Sequence, residues 1–198
     1  MEAVVALEPD AELMLRVKEG DSASFERLLG KYRSPVIGYL YRMVQDQGVA
    51  EELAQEVFLR VYRARSTYEP AAKFTTWLFR IATHLALNSL RDRRFERGRL
   101  SLDEVTDDAP AIQLVDRRSN REQELVAEAH LLEIRQAVAA LPEKQRAAVL
   151  MHKYQEMDYA QIGAVLGCST SAVKSILFRA YETLRVRLSH LAVEGRTS

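Results

Sequence analysis

The stretch DYAQIGAVLGCSTSAVKSILFRAYETLR, residues 158–185, decides the fold of the C-terminal part of the chain. It predicts a short helix, a turn and a longer helix. Gly163 is small where a second helix would press close, and Gly167 favours the left-handed backbone conformation that ends helices. Ser169 or Thr170 would then cap the longer helix. This order of elements is typical of a helix-turn-helix, whose second helix enters the major groove of DNA.

The second helix of this motif has one apolar and one polar face. The apolar side chains follow helical spacing and predict a buried stripe: Val173, Ile176, Leu177, Ala180 and Leu184. At about 100° per residue, the other side chains form one exposed arc: Ser171, Lys174, Ser175, Phe178 and Arg179. Hydroxyls and cations suit base edges and phosphates. Phe178 would either contact a thymine methyl or belong to the core. A helical hairpin with a solvated face is the alternative interpretation.

Apolar residues recur at helical spacing along most of the remaining chain, and glycine and proline are scarce. The pattern predicts helices over residues 10–19, 22–45, 49–65, 74–97, 126–141, 143–153, 158–166 and 170–190, with a kink at Pro35 and a loop at 66–73. Residues 100–125 have no convincing period and contain Pro110. We therefore expect an all-α protein in which two small helical domains, residues 1–99 and 126–198, are joined by a flexible linker, residues 100–125.

Local charge alternates along the chain, although the formal net charge is zero. Residues 1–59, 60–99, 100–125 and 126–198 carry net charges of −5, +7, −4 and +2. A net charge of zero argues against a protein that simply coats nucleic acid. The alternation instead indicates more than one kind of partner.

The composition excludes several classes of protein. Hydrophobic residues make up 47% and charged residues 28%, which is typical of a globular chain rather than a disordered one. The single cysteine, Cys168, cannot form an internal disulfide, and no Cys/His cluster has zinc-ligand spacing. Catalytic motifs and phosphate-binding loops are also missing, so we expect no enzyme, no cofactor and no metal. The sequence shows no signal peptide and no long apolar stretch, which predicts a cytoplasmic protein without membrane insertion.

The predicted helix at 74–97 combines positive charge with the single tryptophan. Its polar side presents Thr76, Arg80, Thr83, His84, Asn88 and Arg91, and Arg93, Arg94, Arg97 and Arg99 extend the charge. Trp77 lies between His84 and Asn88 on this side. Tryptophan among arginines suits single-stranded nucleic acid, because bases stack on the ring while arginine holds the backbone. A core tryptophan beside solvated arginines is the alternative.

The predicted helix at 49–65 has an acidic polar side that includes one apolar residue. Glu52, Gln55 and Glu56 surround Leu59 there. An apolar side chain ringed by carboxylates indicates a partner surface. A single exposed leucine without a function is an equally good interpretation.

Two segments of the chain resemble the extracytoplasmic-function sigma factors. AEELAQEVFLRVYRA, residues 50–64, followed by FTTWLFRIATHLALNSLRDRR, residues 74–94, resembles the sigma-2 domain of that family. LPEKQRAAVLMHKYQEMDYAQIGAVLGCSTSAVKSILFRAYETLR, residues 141–185, resembles its sigma-4 domain. The resemblance covers about residues 10–97 and 126–190. It implies an alternative sigma factor that binds core RNA polymerase and directs initiation at particular promoters.

The resemblance also implies a role for individual residues. The clamp helices of the polymerase β′ subunit would be bound by Glu52, Gln55, Glu56 and Leu59. The −10 element and its melted strand would be held by Tyr68, Lys73, Trp77, Arg80, His84, Asn88, Arg91 and Arg94. A flipped −10 base would enter a pocket near Ala64, Tyr68, Ile81 and His84, beside the loop 69–73. The −35 element would be contacted by Arg146, Ser171, Lys174, Ser175, Phe178 and Arg179.

Two positions depart from the family pattern. His84 stands where the family often has asparagine, and Lys174 replaces a common arginine, so the preferred −10 and −35 sequences are open. The family further implies contact with the polymerase β flap, and an anti-sigma factor that masks the binding surfaces until a signal arrives.

Two rival functions remain at this point. A helix-turn-helix repressor or activator with a helical sensor domain would bind duplex DNA without polymerase, but it leaves Trp77 and the acidic helix unexplained. A helical enzyme would need catalytic motifs that the sequence lacks.

Overall fold

A computed structural model describes residues 8–100 and 121–194, with side chains placed at residues 8–96 and 127–191. Within these residues the fold is all-α, as predicted, and contains no strand. Most of the predicted linker, residues 101–120, lies outside the described residues. The helices are α1 Pro9–Lys18, α2 Ser22–Val44, α3 Gln47–Arg63, α4 Phe74–Leu100, α5 Arg121–Ala139, α6 Glu143–Tyr154, α7 Tyr159–Leu166, α8 Thr170–Arg187 and α9 Ser189–Glu194.

Aspartate side chains cap the N-termini of two helices in the N-terminal part. The Asp21 carboxylate accepts from the backbone N–H groups of Ala23 and Ser24, and Asp46 accepts from Val49. Each carboxylate satisfies donors that the first helical turn leaves unpaired. Helix α2 continues through Pro35 without a break in its helical assignment. Helices α1, α3 and α4 all pack against the long helix α2.

Several helix ends differ from the prediction. The first two residues of the loop predicted at 66–73 belong to a short 3-10 helix, Ala64–Thr67. Helix α8 ends at Arg187, and the short α9 follows it. Helix α5 begins at Arg121, inside the stretch predicted as linker. Glutamate, glutamine and arginine are good helix formers, so the polar sequence REQE extends this helix beyond the apolar pattern that predicted it.

The C-terminal part consists of α5 to α9, and it packs directly on the N-terminal part. Helix α7 lies against α4, and α6 lies against α2. The buried apolar side chains of both parts form one continuous cluster, which reaches from Met14 in α1 to Ala180 in α8. The two predicted domains therefore share a core in this structure.

In the part of the chain that the structure describes, no single helix is long and apolar enough to cross a membrane, although α7 and α8 together, bent by 97°, reach the length and composition of a span. The described residues also hold no group of three or more His, Cys, Asp or Glu side chains arranged for a metal ion.

Candidate nucleic-acid interface

Helices α7 and α8 form the predicted helix-turn-helix. They are bent by 97° relative to each other, within the range of about 90–120° typical of the motif. Asp158 and Gln161 make a reciprocal capping box at the start of α7, with hydrogen bonds of 2.8 and 2.9 Å. Gly167 ends α7 in the left-handed conformation, with φ 66°. Of the two predicted caps for α8, Ser169 is the one used: its hydroxyl accepts from Ala172 N–H at 3.2 Å.

Gly163 is required by the turn itself. A Cβ at this position would lie 2.7 Å from the backbone oxygen of Cys168, and 3.7 Å from a methyl of Val173. The sequence analysis predicted a close helix at this glycine, whereas the nearest atom belongs to the backbone of the turn. The Cys168 N–H donates to the Gly163 carbonyl at 3.0 Å, which holds the turn against α7.

The predicted DNA-reading arc of α8 is exposed along its whole length. Its members are Ser171, Lys174, Ser175, Phe178 and Arg179. The Phe178 side chain is 69% exposed, so it does not belong to the core. Arg179 Nε donates to the Ser175 carbonyl at 3.2 Å, and the Ser175 hydroxyl donates to the Ser171 carbonyl at 3.1 Å. The arc therefore presents cations, hydroxyls and one aromatic ring directly to solvent.

The basic face of α4 is narrower than predicted. Arg80, His84, Asn88 and Arg91 are exposed, as is Lys73 just before the helix. Thr76 and Thr83, which the sequence analysis placed on this face, are buried instead, at 4% and 0% exposure. The Thr83 hydroxyl hydrogen-bonds the Tyr39 hydroxyl of α2 at 2.7 Å. A buried polar partner 44 residues away explains why helical spacing alone misplaced Thr83.

Trp77 is half-buried, between the two interpretations that the sequence left open. Its ring lies 5.0 Å from Tyr68 and 5.9 Å from Phe74, centroid to centroid. The indole therefore packs on two aromatic rings and stays partly exposed on the helix that also carries Arg80 and His84. This packing fixes the ring in place at the edge of the basic face.

Tyr68 packs against Trp77 but is buried, so it does not lie on the exposed basic face of α4. It is 4% exposed, and its hydroxyl has no hydrogen-bond partner among the described residues. Burial raises the pKa of Tyr68 to about 12, and the nearby carboxylates of Glu8 and Asp10 act in the same direction. The Glu8 carboxylate accepts from the Phe74 N–H at 2.9 Å at the start of α4, a contact that the sequence analysis missed.

An apolar groove of about 710 Å³ runs between α2 and α3. Its apolar lining comprises Phe25, Leu29, Ile37, Ala54, Phe58, Leu59 and Tyr62. Leu59 is 49% exposed at the rim, next to Gln55, while Glu52 is exposed and Glu56 pairs with Arg60 at 2.7 Å. The predicted polar surface around Leu59 is thus the edge of a larger apolar groove. Phe25, which is partly buried, and Tyr62, which is exposed, were missed, although aromatic residues on both facing helices are a signal of such a groove.

Two family models match the chain: "Sigma-70 region 2" over residues 28–96 and "Sigma-70, region 4" over residues 131–184. The RNA polymerase sigma-H factor of Pseudomonas aeruginosa is 33% identical over 194 residues, covering 95% of this chain and 98% of that protein. The ECF RNA polymerase sigma factor SigE of Mycolicibacterium smegmatis is 32% identical over 183 residues, covering 90% of this chain and 68% of that protein. This chain belongs to the extracytoplasmic-function sigma factors of the sigma-70 family. As a sigma factor, it directs transcription initiation.

Solved sigma-factor structures share the fold. CnrH in complex with the cytosolic domain of CnrY has a TM-score of 0.66 at 21% identity, covering 92% of this chain and 99% of that one. The sigma factor RpoE in complex with the anti-sigma factor NepR, from Bartonella quintana, has a TM-score of 0.61 at 22% identity, covering 83% of this chain and 96% of that one. The all-α architecture is therefore that of known sigma factors.

Arg146 occupies a different place from the other predicted −35 residues of this sigma factor. Its half-buried guanidinium donates to the carbonyls of Ala139 and Leu141 at the end of α5, and to the carbonyl of Met43 in α2. Burial lowers the pKa of Arg146. The sequence analysis predicted a phosphate contact for Arg146, but here the side chain holds the C-terminal ends of two helices.

Two further contacts join the C-terminal helices of the sigma factor to the N-terminal ones. Arg94 of α4, a predicted −10 residue, pairs with Glu143 of α6 at 2.6 Å. The Arg42 guanidinium of α2 lies 4.5 Å from the centre of the Tyr154 ring at the end of α6. Sequence reasoning missed these pairs, because contacts between distant segments leave no periodic signal.

Proposed function

We propose that this sigma factor docks on core RNA polymerase through α3, reads the −35 element with α8, and reads and melts the −10 element with α4. The observation that carries the proposal is the pair of exposed DNA-compatible faces on helices from two different domains. A helix-turn-helix repressor binds DNA through its recognition helix alone, so it does not account for the second exposed face, on α4. We further propose that the protein acts in the cytoplasm, without cofactor or metal.

The polymerase contact that we propose is centred on Leu59. Leu59 is an exposed apolar side chain at the rim of the α2–α3 groove, next to Gln55. Burying its apolar surface against a partner would be favourable, because that surface is then removed from water. The carboxylates of Glu52 and Glu56 beside it favour a basic partner. The clamp helices of the β′ subunit are the partner that we propose for this surface, and the β flap is the partner that we propose for the C-terminal domain.

The −35 contact that we propose uses the exposed arc of α8. Ser171 and Lys174 lie in the first turns of the helix, where a helix-turn-helix protein reaches base edges. Phe178 offers an apolar ring for a thymine methyl, and Arg179 offers a cation for a base edge or a phosphate. Since Arg146 is engaged elsewhere in this structure, it reaches a phosphate only after its carbonyl contacts break.

The −10 contact that we propose combines stacking with positive charge. A base released from the duplex stacks on the exposed part of Trp77, while Arg80 and Arg91 neutralise the strand backbone. His84 and Asn88 donate and accept hydrogen bonds at base edges. Because unstacked bases are captured rather than chemically altered, melting needs no catalytic group.

An anti-sigma factor is a further partner that we propose. The related RpoE of Bartonella quintana was solved with the anti-sigma factor NepR. The apolar α2–α3 groove offers a surface of the kind that a masking helix needs.

The test of the proposed function is retention of core polymerase by the purified protein. We expect the wild-type chain to retain core enzyme, and Leu59→Asp to reduce the affinity at least about tenfold, because it places a charge where an apolar contact is made. Phe95→Asp is the matched control, since Phe95 is also an exposed apolar residue, 73% exposed on α4, a helix to which the proposal assigns no polymerase contact. Equal affinity of both variants would remove Leu59 from the interface. Duplex binding without core enzyme would favour a repressor.

A further inference from the structure

Helix α1 holds both ends of the loop 69–73, which joins the 3-10 helix to α4. At the start of the loop, Lys18 Nζ donates to the Tyr68 carbonyl at 3.1 Å. At the end of the loop, the Glu8 carboxylate accepts from the Phe74 N–H at 2.9 Å. We call these two hydrogen bonds the α1 contacts. The loop between them is exposed throughout, so its course is set mainly by the two points at which α1 holds the chain.

We propose that Glu8 and Lys18 are positioning residues for −10 recognition, which keep the loop 69–73 and the Trp77 ring in the arrangement that selects and stacks a −10 base. The inference rests on the proposed function, since it assumes that α4 and the loop before it read the −10 element. It adds a part of the chain to which that function assigns no role, because α1 precedes residues 28–96, which match Sigma-70 region 2.

Glu8 provides a helix cap that the local sequence lacks. Helices α2, α3, α7 and α8 are each capped by the side chain of the residue that precedes them. The residue that precedes α4 is Lys73, whose side chain has no acceptor oxygen. Glu8, 66 residues from Phe74 along the chain, accepts from the first N–H of α4 instead, and its negative charge suits the positive end of the helix dipole. Without Glu8, the start of α4, which carries Trp77, loses this cap.

Lys18 holds Tyr68, one of the two rings on which Trp77 packs. The Tyr68 ring lies 5.0 Å from Trp77 and 6.4 Å from Phe74, centroid to centroid. The Tyr68 hydroxyl is buried and has no hydrogen-bond partner among the described residues. The polar contacts of Tyr68 are therefore those of its backbone: the N–H donates to the Arg65 carbonyl at 3.3 Å, and the carbonyl accepts from Lys18. Loss of the lysine contact releases the carbonyl side of Tyr68, and with it the ring beside Trp77.

Helix α1 is itself fixed to α2, so it provides a rigid support. The Asp10 carboxylate is 5% exposed and accepts from the Tyr32 hydroxyl and from Lys31 Nζ, both at 2.5 Å. The Tyr32 ring in turn lies 5.4 Å from the Phe74 ring at the start of α4. Helix α1 therefore supports the start of α4 both directly, through Glu8, and indirectly, through Tyr32.

The variants that test the α1 contacts are matched by charge on the same helix. Lys18→Met and Glu8→Ala each remove one contact. Arg16→Met and Glu12→Ala are the controls, because each removes the same charge from an exposed position of α1 that makes no hydrogen bond to the loop. Glu8→Gln keeps an oxygen that can accept from the Phe74 N–H, so it should retain most of what Glu8→Ala loses.

The first measurement is the fluorescence of Trp77 in the free full-length protein. Trp77 is the single tryptophan of the chain, so quenching by acrylamide reports the exposure of this ring alone. We expect the quenching constant to rise up to about twofold in Lys18→Met and Glu8→Ala, because a half-buried ring that loses its support approaches full exposure. Both control variants should keep the wild-type value.

The second measurement is base selectivity in run-off transcription with core polymerase. The templates differ from one promoter at a single −10 or −35 position. Lys18→Met and Glu8→Ala should each reduce the discrimination among −10 bases about three- to tenfold, the factor expected for the loss of one hydrogen bond. Selectivity at −35 and affinity for core polymerase should not change. A general loss of stability would instead lower transcription from every template equally.

Three results would overturn the positioning role. One is unchanged quenching of Trp77 in both Lys18→Met and Glu8→Ala. Another is increased quenching with unchanged selectivity at −10, which would make the α1 contacts purely structural. The third is an equal loss of selectivity at −10 and −35. Failure of the wild-type protein to direct transcription with core polymerase would instead contradict the proposed function, and the fluorescence of the free variants would still decide whether α1 holds the ring.

Discussion

The two helices proposed to read DNA, α8 and α4, are built in different ways. Helix α8 presents its arc on an exposed surface and is positioned by local devices, namely the Ser169 cap and the tight turn at Gly163. Helix α4 presents a narrow basic face next to a half-buried ring, Trp77, which Tyr68 and Phe74 hold from within the core. A duplex offers its groove edges to any exposed helix, whereas a stacked base needs a flat surface that does not move. The difference follows from these two tasks.

The largest effect on stability is expected at Gly163, where the turn before α8 leaves no room for a side chain. Gly163→Ala places a methyl 2.7 Å from the Cys168 carbonyl, so the turn must shift, at a cost of about 3 kcal/mol of stability. Gly30→Ala is the control: nothing lies within 4 Å of its Cβ, and alanine stabilises a helix by about 0.5–1 kcal/mol relative to glycine. Urea denaturation measures both. If the two variants are equally stable, α8 is not positioned by the turn.

The second effect concerns the ring on α4. Trp77→Leu keeps an apolar side chain against Tyr68 but removes the stacking surface, which is worth about 1–3 kcal/mol per base. Duplex binding should change little, while permanganate reactivity of the melted −10 strand should fall at least about tenfold. Phe95→Leu, at a 73% exposed aromatic on the same helix, is the control. Unchanged permanganate reactivity with the Trp77 variant would show that Trp77 has only a structural role.

The third effect separates two kinds of contact on α8. Arg179→Ala should weaken binding to every −35 sequence and reduce the salt dependence by about one charge, as expected for a phosphate contact. Phe178→Ala should weaken binding by about 1 kcal/mol only where a thymine methyl faces the ring. Fluorescence anisotropy with −35 duplexes and polymerase holoenzyme measures both. Identical sequence profiles for the two variants would contradict this division.

The smallest effect concerns the N-terminal cap of α3. The Val49 N–H and the Arg93 guanidinium lower the pKa of Asp46 below its usual 3.8. A carboxyl with a lowered folded-state pKa stabilises the fold above its unfolded pKa, and this contribution is lost as the pH falls through the folded value. Asp46→Asn should therefore reduce the loss of stability below about pH 4. Asp92→Asn, at an exposed site on α4, is the control. Equal acid sensitivity in the Asp46 variant and the wild type would exclude this role.

The sequence predicted the local features of the molecule well and the distant ones poorly. The turn at Gly167 and the exposure of Phe178 follow from residues within one or two helical turns. The burial of Thr83 depends on Tyr39, and the position of Arg146 depends on Met43, 103 residues away. A polar side chain that is buried with a distant partner has the same helical spacing as an exposed one. The spacing of residues along α4 and α6 therefore did not distinguish DNA contacts from internal ones.

Run-off transcription on a promoter library, with core polymerase and the purified chain, tests the central claim most directly. The claim is that α8 and α4 read two separated elements together once polymerase has bound the protein. We expect transcripts only when both components are present and only from promoters that carry both elements at a defined spacing, because each DNA contact is weak until the other is made. Transcription that needs only one element, or sequence-specific duplex binding at full strength without core enzyme, would contradict the account.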